Sequence, residues 1–246
     1  MPLSEHKRVV IVTGGARGLG KNIALKFGKA GDRVIVNYVS HGGEAAMVVD
    51  EIRRAGGEAV SYGADVRIAE EVETMIGEIT QRWGGLDDLV NNAGITKDRL
   101  MLRMPEQDWD SVLDTNLTGA FHCIRAASRI MSKQQEGHIV NISSIVGVQG
   151  REGQAPYAAS KAGLIGLTKA AAKEWGGFNI KVNAVLPGYL PTEMGGSISD
   201  AIHARVLHEN ALNRVSDPQE VAGFIHHLSR MKNVSGQIFN LDSRIL

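Results

Sequence analysis

Three side chains in the middle of the chain could do acid–base chemistry on a single oxygen atom. Ser144 closely follows the short apolar run Ile139-Val140-Asn141-Ile142, and Tyr157 and Lys161 sit four residues apart in an alanine-rich run. Four residues apart on a helix means one face, one turn apart. Gly147, Gly150 and Gly153 lie between the serine and that pair, so the connecting loop can fold back and let all three converge. A phenol, an ammonium and a hydroxyl on one oxygen suit proton delivery to a carbonyl as it becomes an alcohol. Free tyrosine titrates at about 10, which is too high for efficient proton transfer at neutral pH. A lysine cation one turn away favours the phenolate and lowers that value. Ser144 can hold the substrate oxygen by a hydrogen bond. An ordinary helix start carrying Tyr and Lys would show the same spacing, so the elements that must position these groups decide the matter.

Those elements read as strand, loop and helix in alternation. Val9-Val10-Ile11-Val12 is continuously apolar, as expected of a strand buried on both faces. It runs into Thr13-Gly14-Gly15-Ala16-Arg17-Gly18-Leu19-Gly20, after which Leu19, Ile23, Ala24 and Phe27 recur at helical spacing. A glycine loop between a strand and a helix lets the backbone approach a pyrophosphate seated on the helix N-terminus. Further strands are predicted at 33–37, 59–62, 86–90, 139–142, 180–185 and 237–241. Helices are predicted at 44–55, around Val72 to Trp83, from about Trp109 to Lys133, after Tyr157, and from Pro218. The fold class is therefore α/β: a single Rossmann-like, doubly wound parallel sheet of about seven strands with helices on both faces. Ligands of such sheets bind at the carboxyl ends of the strands. Thr13, Asn91, Ser144 and Pro187 all fall at such ends. Asn116, inside a predicted helix, precedes Leu117-Thr118-Gly119 and suggests a kink with a function. After Pro187-Gly188-Tyr189, residues 188–212 are less regular and suggest a substrate lid.

Composition narrows the classes. The chain has 246 residues and neither repeat nor linker, consistent with one domain over 1–246. Lys plus Arg and Asp plus Glu are both 27, so net charge gives no argument for nucleic acid or an anionic membrane as partner. A single cysteine, Cys123, excludes an intrachain disulfide and fits a reducing cytoplasm. Met1 to Arg8 lacks the apolar core of a signal peptide. No run approaches the roughly 18 apolar residues of a membrane span. His203, His208, His226 and His227 have no companion cluster at ligand spacing and read as surface helix residues, so no metal is expected. Cys123 reads as a small buried hydrophobe, and Asp87-Asp88 as a solvated turn.

The cofactor can be read from two positions. An acidic residue at the end of the second strand would bind a ribose 2′-hydroxyl. Here Asn37-Tyr38 stands there, and Arg17 in the glycine loop could meet a 2′-phosphate instead. The expectation is NADPH/NADP+.

Thr13-Gly14-x-x-x-Gly18-x-Gly20, Asn91-Asn92-Ala93-Gly94, Asn116, Ser144, Tyr157-x-x-x-Lys161 and Pro187-Gly188, in this order, resemble the short-chain dehydrogenase/reductase family. Within it, Val90 to Thr96, Asp114-Thr115-Asn116-Leu117 and Gln154 to Gly163 are most similar to the reductases of 3-oxoacyl thioesters on acyl carrier protein in fatty-acid synthesis. The resemblance implies that Tyr157 is the general acid, that Lys161 lowers its pKa and binds the nicotinamide ribose, and that Ser144 orients the carbonyl. It implies that Asn116 holds a water relaying protons to Lys161. The same resemblance places Thr13, Gly14, Gly18, Leu19, Gly20, Asn37, Asn92, Ala93 and Gly94 along the cofactor groove and Asp65 and Val66 at the adenine. Pro187, Gly188, Leu190 and Thr192 would border the nicotinamide. It also implies a homotetramer in which the helix after Tyr157 and the one bearing Asn116 pair across two-fold axes. The small residues Ala158, Ala162 and Gly166 would permit close approach; the alternative is that they pack on the chain's own sheet.

The sequence departs from the family at its docking and C-terminal features. Leu241-Asp242-Ser243-Arg244 stands where the family usually has Val-Asp-Gly-Gly. Gln134-Gln135-Glu136 and Phe178 stand where basic residues are expected. Arg125, Arg129 and Lys133 do form a basic stripe that could meet an acidic carrier. Three functions follow: a reductase of carrier-protein-linked 3-oxoacyl thioesters, a reductase or dehydrogenase of a CoA thioester or another ketone or secondary alcohol, and a catalytically silent cofactor-binding regulator. The intact Ser144, Tyr157, Lys161 and Asn116 argue against the third.

Overall fold

The computed structural model describes residues 7–190 and 200–244. Thr192, part of the expected lid, and the side chain of His203 lie outside the described residues.

The elements alternate as the apolar runs require. In chain order they are β1 (Val9–Val12), α1 (Gly18–Lys29), β2 (Arg33–Tyr38), α2 (Gly42–Arg54), β3 (Glu58–Gly63), α3 (Ala69–Trp83) and β4 (Asp88–Asn91). Then come α4 (Glu106–Leu113), α5 (Gly119–Gln134), β5 (Gly137–Ile142), α6 (Val146–Gln149), α7 (Ala155–Trp175), β6 (Ile180–Leu186), α8 (Asp200–Glu209), α9 (Pro218–Leu228) and β7 (Ile238–Asn240). The seven strands form one parallel sheet in the order β3-β2-β1-β4-β5-β6-β7. Strand order reverses between β1 and β4, and a crevice opens there at the carboxyl edge.

Alternation within β1 explains its unbroken apolar run. Val10 and Val12 join a core with α1, α2 and α9, including Phe27, Ile52 and Ile225. Val9 and Ile11 join the core on the other face with Met75, Ile79, Ile124 and Met131. Successive side chains point to opposite faces, and both faces are covered. Cys123 is fully buried among the second set, as expected.

Three expectations change. The single helix predicted from Trp109 to Lys133 is α4 and α5 joined by a π-helical turn, Asp114–Thr118. The wider turn carries Asn116 inward, where it is 1% exposed. Gly119 closes the turn against β3's trailing loop; a Cβ there would stand 2.7 Å from Val66 Cγ2.

Asp87-Asp88 is not a solvated turn. Asp88 is 1% exposed and accepts from Arg8 Nε and Nη2 at 2.9 and 3.0 Å and from Arg230 Nη1 at 3.2 Å. Arg230 also binds Asp32. His226, expected at the surface, is half-buried, edge-on to Phe27 and 3.7 Å from Asp32, whereas His208 and His227 are exposed as expected. Burial pushes Asp88 up to about 6, with the two arginines opposing it. Burial, reinforced by Arg8 and Lys181, pushes His138 down to about 3. The cations that neutralise these acids lie near the two ends of the chain, which local sequence cannot reveal.

Candidate active site

One cavity of about 530 Å³ opens at the carboxyl edge of the sheet. The glycine loop forms one wall, through Gly14, Arg17, Gly18, Leu19 and Gly20. This wall is tight because it must be. Gly14 has φ +60°, and a Cβ at Gly20 would lie 2.2 Å from the Gly14 carbonyl oxygen and 2.5 Å from Asn92 Nδ2. Side chains of any size would fill the cradle, so the loop fits a pyrophosphate held by backbone amides at the N-terminus of α1.

Several predicted cofactor residues hold this wall rather than merely facing the space. Asn37 lines the cavity, and its Oδ1 accepts from Gly14 N at 3.4 Å while Nδ2 donates to the Ala64 carbonyl at 2.9 Å. Asn92 Nδ2 donates to the carbonyls of Thr13 and Gly14 at 2.9 and 3.1 Å. Thr13 does not reach the cavity wall. Its hydroxyl accepts from the amides of Asn92 and Ala93 at 2.9 and 3.0 Å, tying the end of β1 to the end of β4. Asp65 and Val66 line the far end beside Ala93 and Gly94. The Asp65 carboxylate is gripped by Arg67, which holds it below the usual carboxylate range.

Ser144, Tyr157 and Lys161 line the same cavity, with Pro187, Gly188 and Leu190 opposite. Lys161 is buried, and its Nζ donates to the Ile142 carbonyl at 2.7 Å. Burial lowers its pKa to about 8. Nζ stands 5.6 Å from the centre of the Tyr157 ring. Desolvation raises the Tyr157 phenol, the Ser144 hydroxyl pulls it down by hydrogen bonding, and Asp98 raises it further. The expected lowering by Lys161 is therefore not what dominates in this structure: burial does, and the ammonium is turned toward Ile142. Asn116 lies behind the wall. Its Oδ1 accepts from Ile95 N at 2.8 Å, and Nδ2 donates to the Ile95 carbonyl at 3.0 Å and to Ser160 Oγ at 3.1 Å. A Cβ on Gly94 would stand 3.2 Å from Asn116 Oδ1 and 3.7 Å from Lys161 Nζ, so these two side chains meet at that glycine.

A glycine cradle and the side chains of Ser144, Tyr157 and Lys161 on one cavity are the features to compare with known proteins. The family model described as short chain dehydrogenase matches residues 8–203. This chain belongs to the short-chain dehydrogenase family. It is 43% identical over 234 residues to the 3-oxoacyl-[acyl-carrier-protein] reductase of Staphylococcus aureus, covering 94% of this chain and 95% of that one. It is 44% identical over 239 residues to the 3-oxoacyl-[acyl-carrier-protein] reductase of Synechocystis sp., covering 96% and 95%. A solved structure from Sinorhizobium meliloti, described as a candidate short-chain alcohol dehydrogenase, superposes with a TM-score of 0.92 at 35% identity, over 98% of this chain and 96% of that one. The chain is thus an oxidoreductase of a family that works with nicotinamide dinucleotides.

Sequence reading missed several cavity residues. Val39, Ser40 and His41 follow β2, and Arg67 follows β3. The carboxyl-end rule would have found them. Arg151 and Gln154, in the loop before Tyr157, and Arg244, after β7, complete the opposite side. Arg244 was noted only as a departure; it binds Asp242 and lies 3.9 Å from Glu209 at the end of α8. Among the described residues no cluster of His, Cys, Asp and Glu could hold a metal, and no helix is long and apolar enough to cross a membrane.

Proposed function

We propose that this chain reduces 3-oxoacyl thioesters to 3-hydroxyacyl thioesters with NADPH, the acyl group being carried on acyl carrier protein during fatty-acid synthesis. The observation that carries the reading is the single cavity shared by Ser144, Tyr157 and Lys161 with the glycine cradle at α1. Two relatives named above, both called 3-oxoacyl-[acyl-carrier-protein] reductase, support the same substrate.

The residues that would hold the dinucleotide are the cradle from Gly14 to Gly20 with Arg17, then Asn92 to Gly94, Asp65-Val66, and the Pro187-Gly188 turn with Leu190. When bound, the nicotinamide supplies the hydride. The protein does the rest. Ser144 Oγ hydrogen-bonds the substrate oxygen and fixes its place. Tyr157 Oη gives its proton to that oxygen as the C–O bond loses its double-bond character. The Lys161 cation lowers the cost of negative charge on the phenol. Asn116 acts as a positioning residue: through Ile95 and Ser160 it sets the spacing between the end of β4 and α7, on which Lys161 rides. The burial of Lys161 and the partial burial of Tyr157 strengthen these charge interactions by excluding water.

The choice of carrier is open to a second reading supported by one observation. Arg125 and Arg129 both lie against Glu73, at 3.5 and 3.0 Å, which reduces the positive field of the stripe. Gln134 is spent on both backbone groups of Leu86, and Glu136 on Lys181 at 2.6 Å. A CoA thioester needs fewer basic contacts. The test compares 3-oxoacyl thioesters on carrier protein and on CoA, with each nicotinamide cofactor, at low and high salt. The proposal expects the carrier form to be preferred at low salt, with Arg129→Glu raising KM for that form alone. Equal or better use of CoA, indifferent to Arg129→Glu, moves the assignment to CoA. No turnover of either thioester defeats the thioester reading.

A further inference from the structure

The half of the cavity beyond Tyr157 has a charge that the reduction itself does not use. Its wall is built from Ile145, Arg151, Gln154, Tyr189 and Arg244, without a carboxylate among the described lining residues. Among the described lining residues the one acid is Asp65, which follows β3 and is held by Arg67. Arg244 is neutralised by Asp242. Arg151 differs from these cations: among the described residues its guanidinium has neither an ion pair nor a hydrogen bond.

The loop that carries Arg151 is built to present it. Gly150 and Gly153 flank it with φ of +73° and +77°, a backbone region that favours glycine. Gln154 N donates to the Arg151 carbonyl at 3.1 Å, and Arg99 N donates to the Gly153 carbonyl at 2.8 Å. Gln154 Nε2 donates to Asp98 Oδ2 at 2.7 Å. The loop is thus tied at both its own turn and the segment after β4; of the two exposed side chains between the glycines, Arg151 lines the cavity and Glu152 does not. The nearby Asp98 carboxylate is engaged by Gln154 and Thr96 rather than by Arg151.

We propose that Arg151 is a specificity-determining residue that recognises an anionic oxygen group on the substrate, presenting a fork of N–H donors at the open end of the cavity. This rests on the reading of the chain as a thioester reductase only for the source of the anion. A phosphate on the thioester's carrier arm and the carboxylate of a free 3-hydroxy acid share the chemistry.

The test measures KM for 3-oxobutyryl-CoA and for the neutral 3-oxobutyryl N-acetylcysteamine thioester in wild type, Arg151→Gln and Arg151→Lys. It adds titration of 3-hydroxybutyryl-CoA and of free 3-hydroxybutyrate into each protein loaded with NADP+. Arg151→Gln is expected to reduce the CoA-over-neutral preference about five- to tenfold, the worth of one charge-assisted hydrogen bond at a half-open site. Arg151→Lys should recover part of it, and kcat should hold. If the carboxylate is the anion, Arg151→Gln weakens 3-hydroxybutyrate by the same factor and leaves the CoA preference alone. If wild type turns over no thioester, the functional reading fails, while a loss of 3-hydroxybutyrate binding in Arg151→Gln still supports this one. An unchanged CoA preference together with unchanged 3-hydroxybutyrate binding overturns it, as does wild type that binds neither anion.

Discussion

Lys161 Nζ donates to the main-chain carbonyl of Ile142 at 2.7 Å, joining α7 to the end of β5 inside the cavity. The bond fixes the ammonium below Gly94 and beside the Tyr157 ring, and the burial that accompanies it makes the charge expensive to keep. Lys161 is lowered from 10.5 to about 8.

That value has a kinetic consequence. The lysine is charged below about 8 and neutral above it, so its support of the phenol fades as pH rises. The rate of carbonyl reduction at saturating substrate is expected to fall on the alkaline side with an apparent pKa near 8. A reduction rate flat to roughly pH 9.5 contradicts this, because unperturbed lysine keeps its proton there.

The proposed preference for NADPH rests on Arg17 and the missing carboxylate at Asn37-Tyr38. Arg17→Ala is expected to lower kcat/KM for NADPH relative to NADH by roughly tenfold or more, the loss of a charge-assisted contact. Steady-state kinetics with both cofactors checks it. A preference for NADH untouched by Arg17→Ala is the opposing result.

Much of this site was legible because it depends on short-range patterns. A continuous apolar run marked β1 through the sheet's two buried faces, largely apolar runs marked β5 and β6, and glycines marked the cradle that a Cβ would fill. What was not legible depends on distant residues or on helix register. Nothing near Asp88 announces Arg8 and Arg230, so a buried acid looked like a turn. The π-helical turn at Asp114–Thr118 adds no residue type that a regular helix would reject, yet it alone carries Asn116 inward. Arg151 went unnoticed because an arginine in a glycine loop is ordinary until the loop is seen to be anchored by Arg99 and Asp98.

Stability should fall with acid through His138. Its folded pKa, about 3, lies below the ordinary 6.5, so the folded chain binds fewer protons than the unfolded one between those values. Its contribution is complete above 6.5 and is lost progressively as pH falls toward 3. At pH 5 the loss is about 2 kcal/mol. Thermal unfolding at pH 7.5 and pH 5 should show a smaller acid shift for His138→Gln than for wild type. Identical shifts would remove His138 from the account.

Assembly can be tested on α7. Ala162 and Gly166 are exposed in the single chain, and a Cβ on Gly166 meets nothing within 4 Å. Ala162 and Gly166 therefore do not pack on the chain's own sheet, whereas Ala158 is half-buried. Light scattering is expected to give four times the 26.4 kDa chain mass, and Gly166→Glu to give a smaller species with unchanged circular dichroism. A monomeric wild type at micromolar concentration contradicts the tetramer.

The central claim is that the Tyr157 hydroxyl delivers the proton in reduction of a 3-oxoacyl thioester. Its most direct test is the rate of NADPH oxidation by Tyr157→Phe with the thioester that wild type uses best, alongside cofactor binding and circular dichroism. The ring still packs and the cradle is untouched, so fold and NADPH affinity should stay near wild type while turnover falls about 10²–10⁴-fold. A well-folded variant that keeps more than about a tenth of the wild-type rate, far above the range for loss of a general acid, contradicts the account.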